Sequence, residues 1–174
     1  MTSVPEKGLL FRQTPCRIEQ NKKDKAVHGM GTICGANCDH CGFREQCAGC
    51  EKTCGSPFGG KCVAAEYIKA KGKEQYGEFK QELLAEVNAL LASCGYPAAA
   101  ALTELPGFYV NLACPLPGGE SVKFLEDKNV YLGAQVEVAG QERCVGAVAD
   151  GGFLLLCSYG ENGAEPELLA YRKR

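Results

Sequence analysis

The sequence predicts an α+β fold in which a cysteine-rich metal-binding knot with a short and a long helix is followed by an antiparallel β-meander or small barrel. Seven of the twelve cysteines lie between Cys34 and Cys62. Apolar residues then recur at three- and four-residue spacing, which is typical of helices, and later alternate with polar ones, which is typical of strands. We expect three regions: an N-terminal extension or loop at 1–33, a cysteine-rich metal-binding helical region at 34–96 and an antiparallel β region at 97–174.

The composition is that of an ordinary folded protein without a strong net charge. The chain has 174 residues and is 45% hydrophobic, which suffices for the core of one domain or two small ones. Nineteen Lys and Arg nearly balance 21 Asp and Glu, so we expect no nucleic-acid partner. No apolar stretch approaches the ~18 residues of a membrane span, and no basic segment leads into an apolar run. We therefore expect no membrane partner and a cytoplasmic location.

The clustering of the cysteines indicates metal ligation. In a reducing cytoplasm, cysteines are available as thiolates rather than paired in disulfides. Two C-x2-C pairs, Cys38/Cys41 and Cys47/Cys50, are separated by a short loop. A C-x2-C turn lets two sulfurs converge on one ion, and zinc takes four such ligands in a tetrahedron. The two pairs therefore predict one complete four-cysteine zinc site.

Three cysteines of the cluster remain after this assignment. They could form a second zinc site with His28 or His40 as the fourth ligand, or they could replace members of the first site. The sequence does not choose between these arrangements. The seven candidate ligands are thus Cys34, Cys38, Cys41, Cys47, Cys50, Cys54 and Cys62.

An iron–sulfur cluster is the competing cofactor, because such clusters are also bound by closely spaced cysteines. Cys34, Cys38 and Cys41 form C-x3-C-x2-C, the triad that holds the cluster of radical S-adenosylmethionine enzymes. The chain is too short for the barrel of those enzymes, and no Cys-Pro of the bacterial ferredoxin kind follows. Zinc is therefore favoured, and an iron–sulfur electron-transfer or sensing protein is the alternative.

The segment CGANCDHC, followed by CAGC, GSPFGGKC and an alanine-containing helix ending in KG, resembles an uncharacterised cysteine-rich prokaryotic family catalogued as a domain of unknown function. The resemblance covers about residues 33–79. It implies a small metal-binding domain. The chain departs from the family pattern at Tyr67, Tyr76 and Phe79, where further cysteines are usual, and this departure weakens the expectation of a second complete metal site.

Two helices are predicted after the cluster. The pattern predicts a short helix from Val63 to Lys71 that stops at Gly72, and a longer one from Lys73 to Cys94. Gly95 fits a C-cap, and Pro97 prevents continuation. The apolar stripe of the longer helix predicts one buried face, made of Tyr76, Phe79, Leu83, Leu84, Val87, Leu90, Leu91 and Cys94.

From Phe108 onward, alternating apolar residues predict about five short antiparallel strands. The segments Cys144 to Ala149 and Gly152 to Tyr159 flank Asp150-Gly151, a dipeptide favoured in two-residue type I′ turns, and therefore predict a β-hairpin. The other predicted strand positions are Val110, Leu112, Cys114, Val130, Leu132, 136–138 and 168–172.

The five cysteines outside the cluster are scattered singly. Cys16 has a basic neighbour, Arg17, and no assigned role. No histidine follows His40, so a catalytic cysteine–histidine pair is not expected. The other four cysteines lie at or beside apolar positions and are expected to be small core residues, namely Cys94, Cys114, Cys144 and Cys157.

The sequence contains no acid–base arrangement that identifies a reaction. Asp39 and Glu45 are the candidate carboxylates inside the cluster for an open metal position. The cluster has more thiolates than one tetrahedral ion can accept, which favours a structural zinc over a catalytic one. We therefore expect a binding or interaction module for an unknown protein or small-molecule partner, with an enzyme less favoured.

Overall fold

In the computed structural model, which describes residues 32–36, 38 and 41–174, an antiparallel sheet packs against two helices. The helices are α1, Val63–Lys71, and α2, Lys73–Ser93. Strands β1, β4, β5, β6 and β7 form a five-stranded sheet in that order, and β2 and β3 form a two-stranded one. The α+β class with a meander is confirmed, but within the described residues the sheet does not close into a barrel. The strands are β1 Thr103–Pro106, β2 Ala113–Pro115, β3 Ser121–Lys123, β4 Val130–Val136, β5 Cys144–Ala149, β6 Phe153–Tyr159 and β7 Glu167–Lys173.

The two helices begin and end almost where the sequence predicts. Gly72, with φ 97°, separates α1 from α2, and α2 ends at Ser93. Beyond it, Gly95 has φ 79° and the N–H of Tyr96 bonds to the carbonyl of Leu91 at 2.9 Å. Glycine adopts positive φ without the steric cost of a Cβ, which is why it ends helices in this way. No helix of the described residues is long and apolar enough to cross a membrane.

The central strands β4, β5 and β6 of the five-stranded sheet are buried on both faces, whereas β7 at the edge is largely exposed. One face shares a core with the buried stripe of α2, which comprises Tyr76, Phe79, Leu83, Val87 and Leu91. The other face is covered by the chain between β1 and β4. All six residues of β5 are therefore buried, and its sequence is apolar without strict alternation. The core on the second face includes Val110, Leu112, Leu125, Val148 and Leu155.

The prediction that four single cysteines lie in the core is half wrong. Cys94 and Cys114 are exposed, because Cys94 follows the last turn of α2 and Cys114 lies in the small two-stranded sheet, where β2 and β3 are largely exposed. Cys157 is a buried free thiol. Cys144 is also buried, but it is disulfide-bonded and therefore not the free thiol that was expected.

The hairpin of β5 and β6 is confirmed, but its predicted type I′ turn is wrong. No residue of the loop 150–152 has φ in the left-handed region that a type I′ turn requires. Instead, the Asp150 carboxylate accepts the N–H groups of Gly152 at 2.7 Å and Phe153 at 3.1 Å. This side-chain bond replaces the backbone geometry of the expected turn.

The strand predicted through Val110, Leu112 and Cys114 is confirmed only at its end, where Cys114 lies in β2, and is wrong at 108–112. A 3₁₀ turn at Gly107–Tyr109 and irregular chain occupy these positions, whose apolar residues cover the second face of the sheet. Strand β1 was not predicted, because it is only four residues long and ends in a proline.

The end of the cysteine-rich segment is hydrogen-bonded to the start of β4. The N–H of Val130 bonds to the carbonyl of Lys61 at 2.7 Å, and the N–H of Gly60 bonds to the carbonyl of Lys128 at 3.1 Å. Cys62 forms a parallel bridge with Val130. These contacts join residues of the predicted metal-binding region to residues of the predicted β region; the boundary proposed at residue 96 itself stays a prediction.

We predict that Gly60→Ala destabilises the protein, because a Cβ there would lie 2.5 Å from the Lys128 carbonyl oxygen. Overpacking of this kind costs about 1–3 kcal/mol. The matched control is Gly118→Ala, whose Cβ would have no neighbour within 4 Å and should change stability by less than about 0.5 kcal/mol. Urea unfolding followed by circular dichroism measures both; equal midpoints for the two variants would contradict the close approach at Gly60.

Candidate metal centre

The cysteine-rich segment is a series of tight turns. The N–H of Cys41 bonds to the carbonyl of Cys38 at 3.3 Å, which closes the first C-x2-C turn. In the second turn, Gly49 has φ 86°, a conformation that residues with a Cβ rarely adopt. The N–H of Gly55 then bonds to the carbonyl of Cys50 at 2.8 Å. A local hydrogen bond thus closes the first cysteine pair, and the positive φ of Gly49 turns the chain within the second.

These turns place all four cysteines of the two C-x2-C pairs around one pocket. The pocket is lined by Cys38, Cys41, Cys47 and Cys50 together with Thr32, Arg44 and Gly49. The side chain of Thr32 donates to the carbonyl of Ala36 at 3.0 Å and so closes the turn before Cys38. The four residues that the spacing assigned to one site are therefore neighbours in the fold.

The cysteine side chains are not yet close enough to one another to coordinate a metal ion. Among residues 32–36, 38 and 41–174, no three His, Cys, Asp or Glu side chains lie close enough together to hold a metal ion. The assignment of the seven cysteines as ligands therefore stays a prediction. What the fold provides is a shared pocket in which the sulfurs of two pairs are gathered.

The electrostatics of the pocket favour a cation. Burial, followed by the charges of Cys41, Cys50, Cys34 and Cys47, raises the pKa of Cys38 to about 11. Burial and the charge of Cys34 likewise raise the pKa of Cys50. Each deprotonated thiol therefore makes the next deprotonation harder. A divalent cation reverses this repulsion, because its charge stabilises every thiolate around it.

Cys34 and Cys62 form a second group of thiols next to the pocket. Cys62 precedes α1, is only 4% exposed and belongs to the main core, and Cys34 packs against that core. Burial raises the pKa of both thiols, for Cys62 to about 11, with a further contribution from the charge of Cys34 on Cys62. We call Cys34 and Cys62 the inner pair.

Backbone groups near three of the sulfurs act against the effect of burial on the thiol pKa. Those of Ala64 and Ala65, at the start of α1, lower the pKa of Cys62. That of Ile33 lowers the pKa of Cys50, and that of Ala36 lowers the pKa of Cys34. A polar backbone group near a sulfur favours the thiolate, which is the form that ligates a metal.

A polar group that the sequence did not reveal lies beside the inner pair. The hydroxyl of Tyr76 donates to Oε1 of Glu104 at 2.8 Å, and Nζ of Lys80 bonds to the same oxygen at 3.2 Å. Burial, followed by the charge of Glu104, raises the pKa of Tyr76, and the charges of Cys34 and Cys62 contribute further. Glu104 lies on β1, and no sequence motif marks it.

An aromatic contact, also not foreseen, joins the cysteine-rich segment to the β region. Phe43, between the two cysteine pairs, meets Phe108 edge-on with ring centroids 5.4 Å apart and Tyr109 at 5.8 Å. Phe58 meets Phe108 at 5.4 Å in the same way. Edge-to-face pairs of this kind contribute about 0.5–1.5 kcal/mol beyond the burial of their area. They hold the turns of the pocket against the 3₁₀ turn after β1.

The other candidate residues are not gathered at the pocket or lie outside the described residues. Cys54 is exposed, has φ 51° and uses its carbonyl to bind the ammonium of Lys69. Glu45 is exposed. The expected extension up to residue 31, with Cys16 and His28, lies outside the described residues, as do Asp39 and His40.

Comparison with protein-family models, with curated proteins and with solved structures finds no match for this chain. The resemblance over residues 33–79 therefore stays a prediction.

We predict that Cys38 of the metal-free protein reacts slowly with iodoacetamide. Its pKa rises from an ordinary 9.0 to about 11, so at pH 8 its reactive thiolate is about 100-fold scarcer. Because the thiol is protonated below its pKa, the rate should rise about tenfold per pH unit between pH 8 and 10. Peptide mass spectrometry gives the rates, with exposed Cys114 as the fast control. Equal rates for Cys38 and Cys114 at pH 8 would contradict the electrostatics described above.

Proposed function

We propose that this chain is a zinc-binding protein in which zinc has a structural role. The observation that supports this proposal is the single pocket lined by both C-x2-C pairs, Cys38/Cys41 and Cys47/Cys50. Four cysteines that line one pocket match in number the four ligands that a tetrahedral zinc takes. Burial and the neighbouring sulfurs raise the pKa of Cys38 and Cys50 and so disfavour their thiolates, which a dication would stabilise.

A structural role follows from the ligand set. Four thiolates fill all positions of a tetrahedral ion, whereas a catalytic zinc keeps one position for water. Thiolates also donate more negative charge than imidazoles and make the ion a poorer Lewis acid. Glu45, one of the two carboxylates considered for catalysis, is exposed and does not line the pocket. The binding free energy of zinc then contributes to the stability of the fold.

The biochemical role that fits a structural zinc is that of a binding or interaction module. We propose a protein or small-molecule partner that is bound through the β region, in the cytoplasm. A nearly balanced charge, 19 basic against 21 acidic residues, argues against a nucleic-acid partner.

An iron–sulfur electron-transfer or sensing protein is the second candidate. The C-x3-C-x2-C spacing of Cys34, Cys38 and Cys41 favours it, and these cysteines would then supply three of the ligands. Backbone groups near Cys34, Cys50 and Cys62 lower the pKa of these thiols, which supports thiolate ligands of either metal and does not displace the first proposal.

Elemental analysis of anaerobically purified protein tests this proposal. We expect zinc, bound in at least one equivalent per chain, and a colourless solution. Iron with matching acid-labile sulfide and a broad absorption near ~400 nm would overturn the zinc assignment and establish the iron–sulfur alternative. If the purified protein contained neither zinc nor iron and bound neither when each was added, both assignments would be overturned.

We predict that Asp39→Ala and Glu45→Ala leave zinc content and stability unchanged, because a structural ion needs no general base. Cys38→Ser should lose zinc and soluble protein, because it removes one of four ligands. Cys114→Ser is the matched control, since Cys114 is exposed and does not line the pocket. Soluble yield and zinc per chain measure the effect. If Asp39→Ala or Glu45→Ala lost an activity but kept its zinc, the zinc would be catalytic rather than structural.

A further inference from the structure

We propose that Phe108, in the 3₁₀ turn after β1, is a positioning residue for the metal pocket and holds the two C-x2-C pairs in place relative to each other. The inference rests on the zinc-binding function proposed above and adds to it a residue of the β region on which zinc affinity depends. Phe108 has this effect through Phe43 and Phe58 and not as a ligand.

The ring of Phe108 contacts two rings that belong to different parts of the cysteine-rich segment. Phe43 and Phe58 each meet it edge-on, with ring centroids 5.4 Å apart and planes at 83° in both cases. All three rings are half-buried. Edge-to-face pairs are favourable beyond the burial of their area. Both parts of the segment are therefore attached to one side chain of the β region.

Phe43 connects Phe108 to the loop between the two cysteine pairs. The backbone hydrogen bonds of this loop are local and tie it to one cysteine of each pair. The N–H of Arg44 bonds to the carbonyl of Cys41 at 3.1 Å, and the N–H of Cys47 bonds to the carbonyl of Phe43 at 3.0 Å. The contact between Phe43 and Phe108 therefore attaches this loop, and with it one cysteine of each pair, to the β region.

Phe58 connects Phe108 to the second cysteine pair. Ala48, which lies inside that pair, donates its N–H to the carbonyl of Pro57 at 2.9 Å. Pro57 is buried and directly precedes Phe58. A displacement of Phe58 would therefore act on the second pair through this hydrogen bond.

The turn that carries Phe108 is itself fixed in the β region. Gly107 donates its N–H to the backbone carbonyl of Asn129 at 2.7 Å, and the side chain of Asn129 accepts the N–H of Lys61 at 2.8 Å. Gly107 is buried, and a Cβ there would overlap with the carbonyl oxygen of Glu126. The turn thus packs closely on the chain before β4. Phe108 is a fixed point against which both cysteine pairs are placed.

Zinc binding needs both cysteine pairs at once, because the proposed site takes two ligands from each. Among the described residues no three potential ligand side chains are close enough together to hold an ion, so the two pairs must still approach each other. Pairs that are already attached to one ring lose less conformational freedom in this step. The contacts of Phe108 therefore raise zinc affinity by preorganisation, which a residue that stabilises the sheet alone does not do.

Zinc titration of the full chain against a chromogenic chelator tests this role, with zinc as the probe. We expect Phe108→Leu to lower the zinc affinity about tenfold, because leucine is apolar but makes neither ring contact. The matched control is Phe153→Leu. Phe153 is also half-buried and has two ring contacts, with Tyr131 at 5.9 Å and with Tyr171 at 5.8 Å. Phe153→Leu should keep the zinc affinity of the unaltered protein, whatever its effect on the urea midpoint of the metal-free chain.

A double-mutant cycle separates the positioning role from a general loss of stability. Phe58→Leu should lower the zinc affinity by itself but not in a chain that already carries Phe108→Leu, because the shared contact is then absent. Equal losses in the two backgrounds would mean that Phe58 acts independently of Phe108, and the positioning role would be wrong.

The remaining outcomes distinguish this inference from the function on which it rests. An unchanged zinc affinity in Phe108→Leu, or an equal loss in Phe153→Leu, would overturn the positioning role, while the zinc function would stand. An unaltered protein that binds no zinc, or that holds iron with sulfide, would overturn the proposed function as well. If Phe108→Leu does not fold, Phe43→Leu and Phe58→Leu replace it, and an unchanged zinc affinity in both would overturn the role.

Discussion

Sulfurs gathered in one small, partly buried space repel one another once ionised and lose hydration, and this constraint governs the cysteine-rich part of the chain. The effect is clearest at Cys38, where burial and the charges of four neighbouring cysteines together raise the pKa. Nearby backbone groups act in the opposite direction and lower the pKa of Cys34, Cys50 and Cys62. A thiol with a raised pKa stays protonated and neutral at ordinary pH, so the repulsion arises only when the sulfurs ionise.

The cysteine-rich segment contacts the rest of the molecule through backbone hydrogen bonds and through aromatic side chains. Residues 60–62 hydrogen-bond along the start of β4, and Phe43 and Phe58 meet Phe108 edge-on. The segment's own backbone hydrogen bonds join residues close in sequence, so these longer-range contacts position the pocket relative to the sheet. The apolar core under α1 and α2 then continues from Cys62 into the sheet without interruption.

Local features of the fold could be predicted from the sequence, and long-range ones could not. The helices follow from the apolar stripe between Tyr76 and Leu91 and from Gly72 and Gly95, all of which act within a few residues. The convergence of the two C-x2-C pairs is local in the same sense. By contrast, Glu104 reaches Tyr76 only after α2 has docked on β1, and no spacing along the chain signals that contact.

The predictions that were wrong also depended on contacts that the local sequence does not show. Cys114 alternates like a core residue, yet it lies in a two-stranded sheet whose residues are largely exposed. The alternation at Val110 and Leu112 does mark burial, but by an irregular segment laid across the sheet rather than by a strand. Asp150-Gly151 signals a hairpin, whereas the choice of turn depends on what the Asp150 carboxylate can reach.

The bridge between Cys62 and Val130 bears on how the chain acquires its fold during synthesis. Val130 is 68 residues further along the chain than Cys62, so this contact forms only after β4 has left the ribosome. Until then the cysteines emerge with only their local turns to hold them, and contacts between such distant residues are slow to form. During this interval the cysteines of the nascent segment lack their contact with β4 and are accessible to solvent. An oxidant present during this interval would meet the cysteines before the contact with Val130 has formed.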